Sequence, residues 1–139
     1  MTNPEVPRVL ETITGPDTLE AIQGVLDDVW ASREVPELVR MHTELAVSEI
    51  AANIIEHSGD GQPVRLRMHV EVSADAVAIT FTDNGRPAPV DMTQLSMPDD
   101  MAERGRGLAI AFRVLDELSY RRDRDGNHWT LIRRRHASE

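Results

Sequence analysis

The chain has no cysteine among its 139 residues. Disulfides, thiolate nucleophiles and Cys-ligated metals are excluded, and the usage fits a reducing compartment. Aromatics are scarce, at 4%, which disfavours recognition by stacking bases on aromatic platforms. Basic residues are outnumbered, 15 Lys+Arg against 24 Asp+Glu, for a formal net charge of −9. A chain of that sign lacks the basic face that a phosphate backbone requires, so direct nucleic-acid binding is not expected. No apolar run approaches the ~18–20 residues of a membrane span. The opening MTNPEVPRVLETI lacks the basic and apolar regions of a secretory signal. What is present, 40% hydrophobic residues, fills one core. A single cytoplasmic domain over 1–139 is expected.

Period and punctuation outline the elements. Residues 8–14 alternate as a first strand, and Gly15-Pro16-Asp17 turns, with Asp17 placed to cap a helix. Leu19, Ile22, Val25, Leu26, Val29 and Trp30 recur at helical spacing. Pro36 opens a second helix in its first turn, ending near Ser58 before Gly59-Asp60-Gly61. Val64, Leu66, Met68, Val70 and Val72 alternate with Arg65, Arg67, His69 and Glu71. Val77, Ile79 and Phe81 continue as the partner strand of a hairpin. Residues 84–104 have no period, as functional loops do; Met92, Met97 and Met101 there are expected to pack the loop. A third helix is predicted over Gly107–Leu118. Strands at Leu118–Arg124 and His128–Arg133 follow, around an Asp125-Gly126-Asn127 turn. The order β–α–α–β–β–loop–α–β–β implies an α+β two-layer sandwich: a mixed, mostly antiparallel sheet with helices on one face.

Three groups of polar residues stand out. Glu49 and Asn53 lie one turn apart on an otherwise apolar helix, with Glu56 near the same line. They suit a cation or ligand opposite them, or equally a solvated helix edge. Asp83-Asn84-Gly85-Arg86-Pro87 follows a buried strand, where Asp83 is placed to accept from a ligand amine; the same residues make ordinary turn chemistry. Arg104-Gly105-Arg106-Gly107-Leu108 precedes a helix, whose N-terminus suits phosphate, although a plain flexible helix entry has the same pattern. His57 reads as a helix-end residue meeting terminal carbonyls. Arg133-Arg134-Arg135-His136 reads as a solvated tail, and Arg121, Arg122 and Arg124 as an exposed strand face. No zinc-ligand spacing occurs.

In this order, E-x-x-x-N, D-x-G-x-P and G-x-G-L resemble the GHKL (Bergerat-fold) ATPases, specifically the small bacterial anti-sigma factor serine kinases. The resemblance covers roughly residues 8–134. It implies a histidine-kinase-like ATPase domain that binds ATP with Mg²⁺. It makes Asn53 the Mg²⁺ ligand and Glu49 the general base toward a serine hydroxyl. Asp83 would accept from the adenine amine, Gly85 would make room for the base, and Thr130 would support that contact. Gly105, Arg106, Gly107 and Leu108 would wrap the triphosphate, with Arg104 on its γ-phosphate. The implied activity is a serine/threonine-protein kinase that sequesters a sigma factor and phosphorylates an anti-sigma factor antagonist. The alternative is a nucleotide-gated binding module without transfer. A homodimer is the family habit. Ala88-Pro89-Val90-Asp91 departs from the family's usual Phe-Asp-Pro at this point, which bears on kinase activity rather than on ATP binding.

Overall fold

A computed structural model describes residues 8–59, 62–87 and 103–135, with the side chains of 103–106 excepted. Strand β1 (Arg8–Ile13) leads to α1 (Thr18–Ser32) and α2 (Glu37–Asn53), which continues as a π-helical turn, Ile54–Ser58. Strands β2 (Arg65–Val72) and β3 (Ala76–Asp83) follow. Helix α3 (Glu103–Val114) then precedes β4 (Glu117–Asp123) and β5 (Gly126–Arg134). The sheet order is β1-β2-β3-β5-β4. Every pairing is antiparallel, so the parallel component of the expected mixed sheet does not occur among the described residues.

Two-residue alternation gives the sheet its faces. Leu66, Met68, Val70 and Val72 of β2, with Val77, Ile79 and Phe81 of β3, are at most 5% exposed. They pack with Trp129 and Leu131 of β5 and with Ile22, Leu26, Val29, Val47, Ile50 and Ile54 of the helices in one core. The opposite face is polar, crossed by the Arg67–Glu11 pair at 3.4 Å. Asp123 also serves that face: hydrogen bonds from His128, then Arg121, then the Asp125 amide hold its carboxyl well below the usual carboxylate range. Among the described residues no helix is long and apolar enough to cross a membrane.

Local chemistry departs from expectation at several points. Asp17 caps nothing with its side chain; its backbone (φ −98°, ψ 3°) is not in the extended cap geometry. The Thr18 hydroxyl instead accepts from the Gly15 amide at 2.8 Å. Pro36 sits one residue outside α2, where its carbonyl accepts from Arg40 at 3.0 Å. Helix α3 starts four residues earlier than its glycines suggest, at Glu103. The β4–β5 turn is Arg124-Asp125, which puts Gly126 and Asn127 inside β5.

The Arg133–Arg135 run is no tail. Arg133 donates to His42 Nδ1 at 3.1 Å, and Arg135 donates to the carbonyls of Ser73 and Glu34. His136, the loop methionines and Ala88–Asp91 lie outside the described residues.

Gly126 is the residue on which the β3–β5 register turns. Its φ is +126°, and a Cβ would overlap the Asp83 carbonyl oxygen. Gly126→Ala is therefore expected to destabilise the fold by about 1–3 kcal/mol, the usual cost of a forced φ, read as a lower midpoint in urea unfolding.

Candidate functional site

Asp83 ends β3 in phase with Val77, Ile79 and Phe81, so alternation puts its carboxylate on the helix side of the sheet, 2% exposed. Its Oδ1 accepts three hydrogen bonds: from the Ser58 hydroxyl, from the Gly85 amide at 2.8 Å and from the Asn127 side-chain amide at 2.9 Å. Its Oδ2 is equally buried and makes no hydrogen bond among the described residues. Leaving a buried acceptor unpaired is costly. A ligand N–H fits that atom. Around it lies a small cavity lined by Asn53, Ile54, His57, Ser58, Arg86, Asn127 and Trp129.

The partners come from local features of the chain. The π turn winds more widely than an α-helix. Through it Ser58, five residues beyond Asn53, is also turned inward, at 5% exposure. Gly85 follows on the turn, where a Cβ would overlap the Ser58 hydroxyl and carbonyl. Its need for glycine thus comes from Ser58, and the Arg86 amide closes the contact by donating to the Ser58 carbonyl at 2.6 Å.

Asn127 pairs directly with Asp83 across β3–β5, whereas Thr130 pairs with Thr80 on the alternate phase. Thr130 therefore lies on the opposite face of the sheet from Asp83, and Asn127 takes the place beside the carboxylate. Neither Ser58 nor Asn127 stands out in the sequence. The role of Asn127 follows from the pairing of β3 with β5, two strands far apart in sequence and joined by no turn that would set their register.

A second cleft adjoins the first between α2 and α3, lined by Glu49, Ala52, Asn53, Glu56, His57, Gly107 and Leu108. Asn53 and His57 line both spaces. Glu49 is half-buried, and its carboxylate lies where a Cβ of Gly107 would be. Glu56 is exposed and stands 3.8 Å from His57 Nε2, and both line the cleft. Asn53 is 8% exposed.

Among the described residues no group of three or more His, Asp or Glu could hold a metal alone. The Asn53 amide oxygen with the Glu49 and Glu56 carboxylates offers a few hard oxygens. That set fits Mg²⁺, which keeps water and ligand phosphate in its shell. Gly105, Arg106, Gly107 and Leu108 do not form a loop before the helix but lie within α3. Leu108 is 1% exposed and belongs to the core. The side chains of Arg104 and Arg106 lie outside the described residues.

Comparison with known proteins adds three findings. The model of the histidine kinase-like ATPase domain matches residues 14–133. The chain is 32% identical over 127 residues to the serine/threonine-protein kinase BtrW of Bordetella bronchiseptica, covering 85% of this chain and 84% of that protein. Its fold is similar to the histidine kinase domain of a blue-light activated histidine kinase from Erythrobacter litoralis, with a TM-score of 0.52 at 20% identity. That alignment covers 84% of this chain, which spans 59% of the other.

Ser58 supplies the hydroxyl donor to a buried carboxylate. Ser58→Ala is expected to destabilise the ligand-free protein by about 1.5–3 kcal/mol, the range for a hydrogen bond to a charged group, measured by urea unfolding at neutral pH.

Proposed function

The chain belongs to the histidine kinase-like ATPase domain family, and from that footing we propose that it is an ATP-dependent serine/threonine-protein kinase of the anti-sigma regulatory type. In this reading it holds a sigma factor inactive and phosphorylates a small anti-sigma factor antagonist. The observation that carries the nucleotide assignment is Asp83 Oδ2, a buried acceptor without a donor among the described residues.

Asp83 Oδ2 accepts from the adenine amino group, in the small cavity beneath the end of β3. The remaining nucleotide extends past Asn53, which lines both spaces. Asn53 would hold Mg²⁺ through its amide oxygen, and that ion, when bound, would neutralise charge on the phosphates. Glu49, one turn away, takes the proton of the acceptor hydroxyl. Because α3 begins at Glu103, its unpaired amides belong to Glu103, Arg104, Gly105 and Arg106. These residues and Gly107 approach the phosphates, with Arg104 assigned to the γ-phosphate. Phosphoryl transfer asks little covalent chemistry of the protein, so positioning and charge stabilisation suffice.

A second reading, a nucleotide-gated binding module without transfer, is favoured by one contact. The Glu49 carboxylate lies against the α3 backbone at Gly107, so its access to a hydroxyl depends on α3.

Two experiments test the assignment. In Asp83→Asn the amide oxygen keeps the three protein donors and its NH₂ faces the ligand amine. Titration calorimetry with ATP and Mg²⁺ should then show affinity about 10–150-fold weaker, equivalent to losing a charged hydrogen bond of ~1.5–3 kcal/mol. Unchanged affinity rejects the adenine contact. Glu49→Ala should keep the ATP affinity and abolish transfer of labelled γ-phosphate to a candidate antagonist; transfer at the wild-type rate rejects Glu49 as base.

A further inference from the structure

Arg122 is exposed, as the sequence suggests, but alternation along β4 puts it on the side of the sheet opposite Arg121. Leu118 and Tyr120 pack against the core, and the Tyr120 ring lies tilted at 49° against Trp129 with centroids 4.7 Å apart. Arg122, two residues on, shares their side of the sheet and pairs in register with Asn127. Its Nη1 donates to the Gly85 carbonyl at 2.8 Å and to Asn127 Oδ1 at 3.0 Å. The Tyr120 hydroxyl donates to the same Oδ1.

Those donors settle which way the Asn127 amide points. With Oδ1 held by Tyr120 and Arg122, its NH₂ faces Asp83 Oδ1 at 2.9 Å and the Arg86 carbonyl at 2.6 Å. An amide nitrogen has two hydrogens, and both are thereby used. Asp83 Oδ1 is in turn saturated by Ser58, Gly85 and Asn127, while Oδ2 has no partner among the described residues. One side chain therefore braces two of the three groups that hold the carboxylate, the Gly85 turn and the Asn127 amide. It does so from outside the cavity, whose lining does not include it.

The geometry points to Arg122 as a positioning residue for nucleobase selection. By fixing Gly85 and Asn127 it keeps Asp83 Oδ1 occupied and presents Oδ2 alone, an acceptor that takes a purine bearing an exocyclic amino group. This rests on the ATP reading above. A merely structural role would make Arg122 a tie between the β4–β5 hairpin and the Gly85 turn, without bearing on which base is chosen.

The test compares two ligands with Mg²⁺ by titration calorimetry: ATP, and purine riboside triphosphate, which lacks the 6-amino group. Wild type should bind ATP tighter by about tenfold or more, because only ATP satisfies Oδ2. In Arg122→Met the preference should fall to about threefold or less, through weaker ATP binding with the analogue unchanged. Arg122→Lys should keep most of the preference, since both bonds leave one nitrogen and an ammonium can make both. Arg122 is exposed, so these variants should keep the wild-type thermal midpoint within a few degrees. A wild-type preference in Arg122→Met, or an equal loss for both ligands, overturns the inference. Binding of neither ligand by wild type overturns the ATP reading itself, and the inference with it.

Discussion

A buried carboxylate, without a counter-ion among the described residues, is the constraint around which one end of this molecule is organised. Asp83 is 2% exposed, and burial of an ionised group is tolerated only when its oxygens are hydrogen-bonded. Ser58, Gly85 and Asn127 meet that need at one oxygen. They come from the end of the second helix, the turn after β3 and the start of β5. Satisfying one side chain therefore joins three distant stretches of chain and fixes the shape of the cavity beneath it. The other oxygen has no donor among the described residues, so the same arrangement that completes the fold leaves one unmet requirement beside the small cavity.

The sequence was legible where one physical rule acted alone. Alternation in Leu66–Val72 and Val77–Phe81 places the right residues in the core, and Val47, Ile50, Ala51 and Ile54 form the buried helix stripe as spaced. Asp83, Glu49 and Asn53, singled out by their spacing, line two adjoining clefts. Where tertiary packing overrode local propensity, the sequence misled. Glycines at 105 and 107 argue for a loop, yet the chain there is helical. Thr130 resembles a partner for Asp83, but a strand position three residues from Asn127 must face the other way. Ser58 was invisible because only the wider winding of a π turn brings it inward.

Charge completes the picture at the other end of the cleft. Glu49 and Glu56 line a space in which, among the described residues, His57 is the one basic side chain. A polyphosphate entering it alone would meet repulsion. In the proposed function, a hard divalent cation held by Asn53 would change that sign. The basic residues near α3, Arg104 and Arg106, sit in its first turn, where a helix already carries partial positive charge. In the proposed function the acidic cleft wall would face the cation and the start of α3 the phosphates.

Gly107 carries a consequence of a different kind. In the interior of a helix glycine is worse than alanine by about 1 kcal/mol, so a screen for thermal tolerance would favour replacing it. The atom that a new Cβ would strike is the end of the Glu49 side chain, which can swing aside at little cost to the fold. Stability and chemistry therefore pull in opposite directions at this one position. A library sorted on heat resistance would enrich an alanine there and quietly move the carboxylate nearest the proposed reaction.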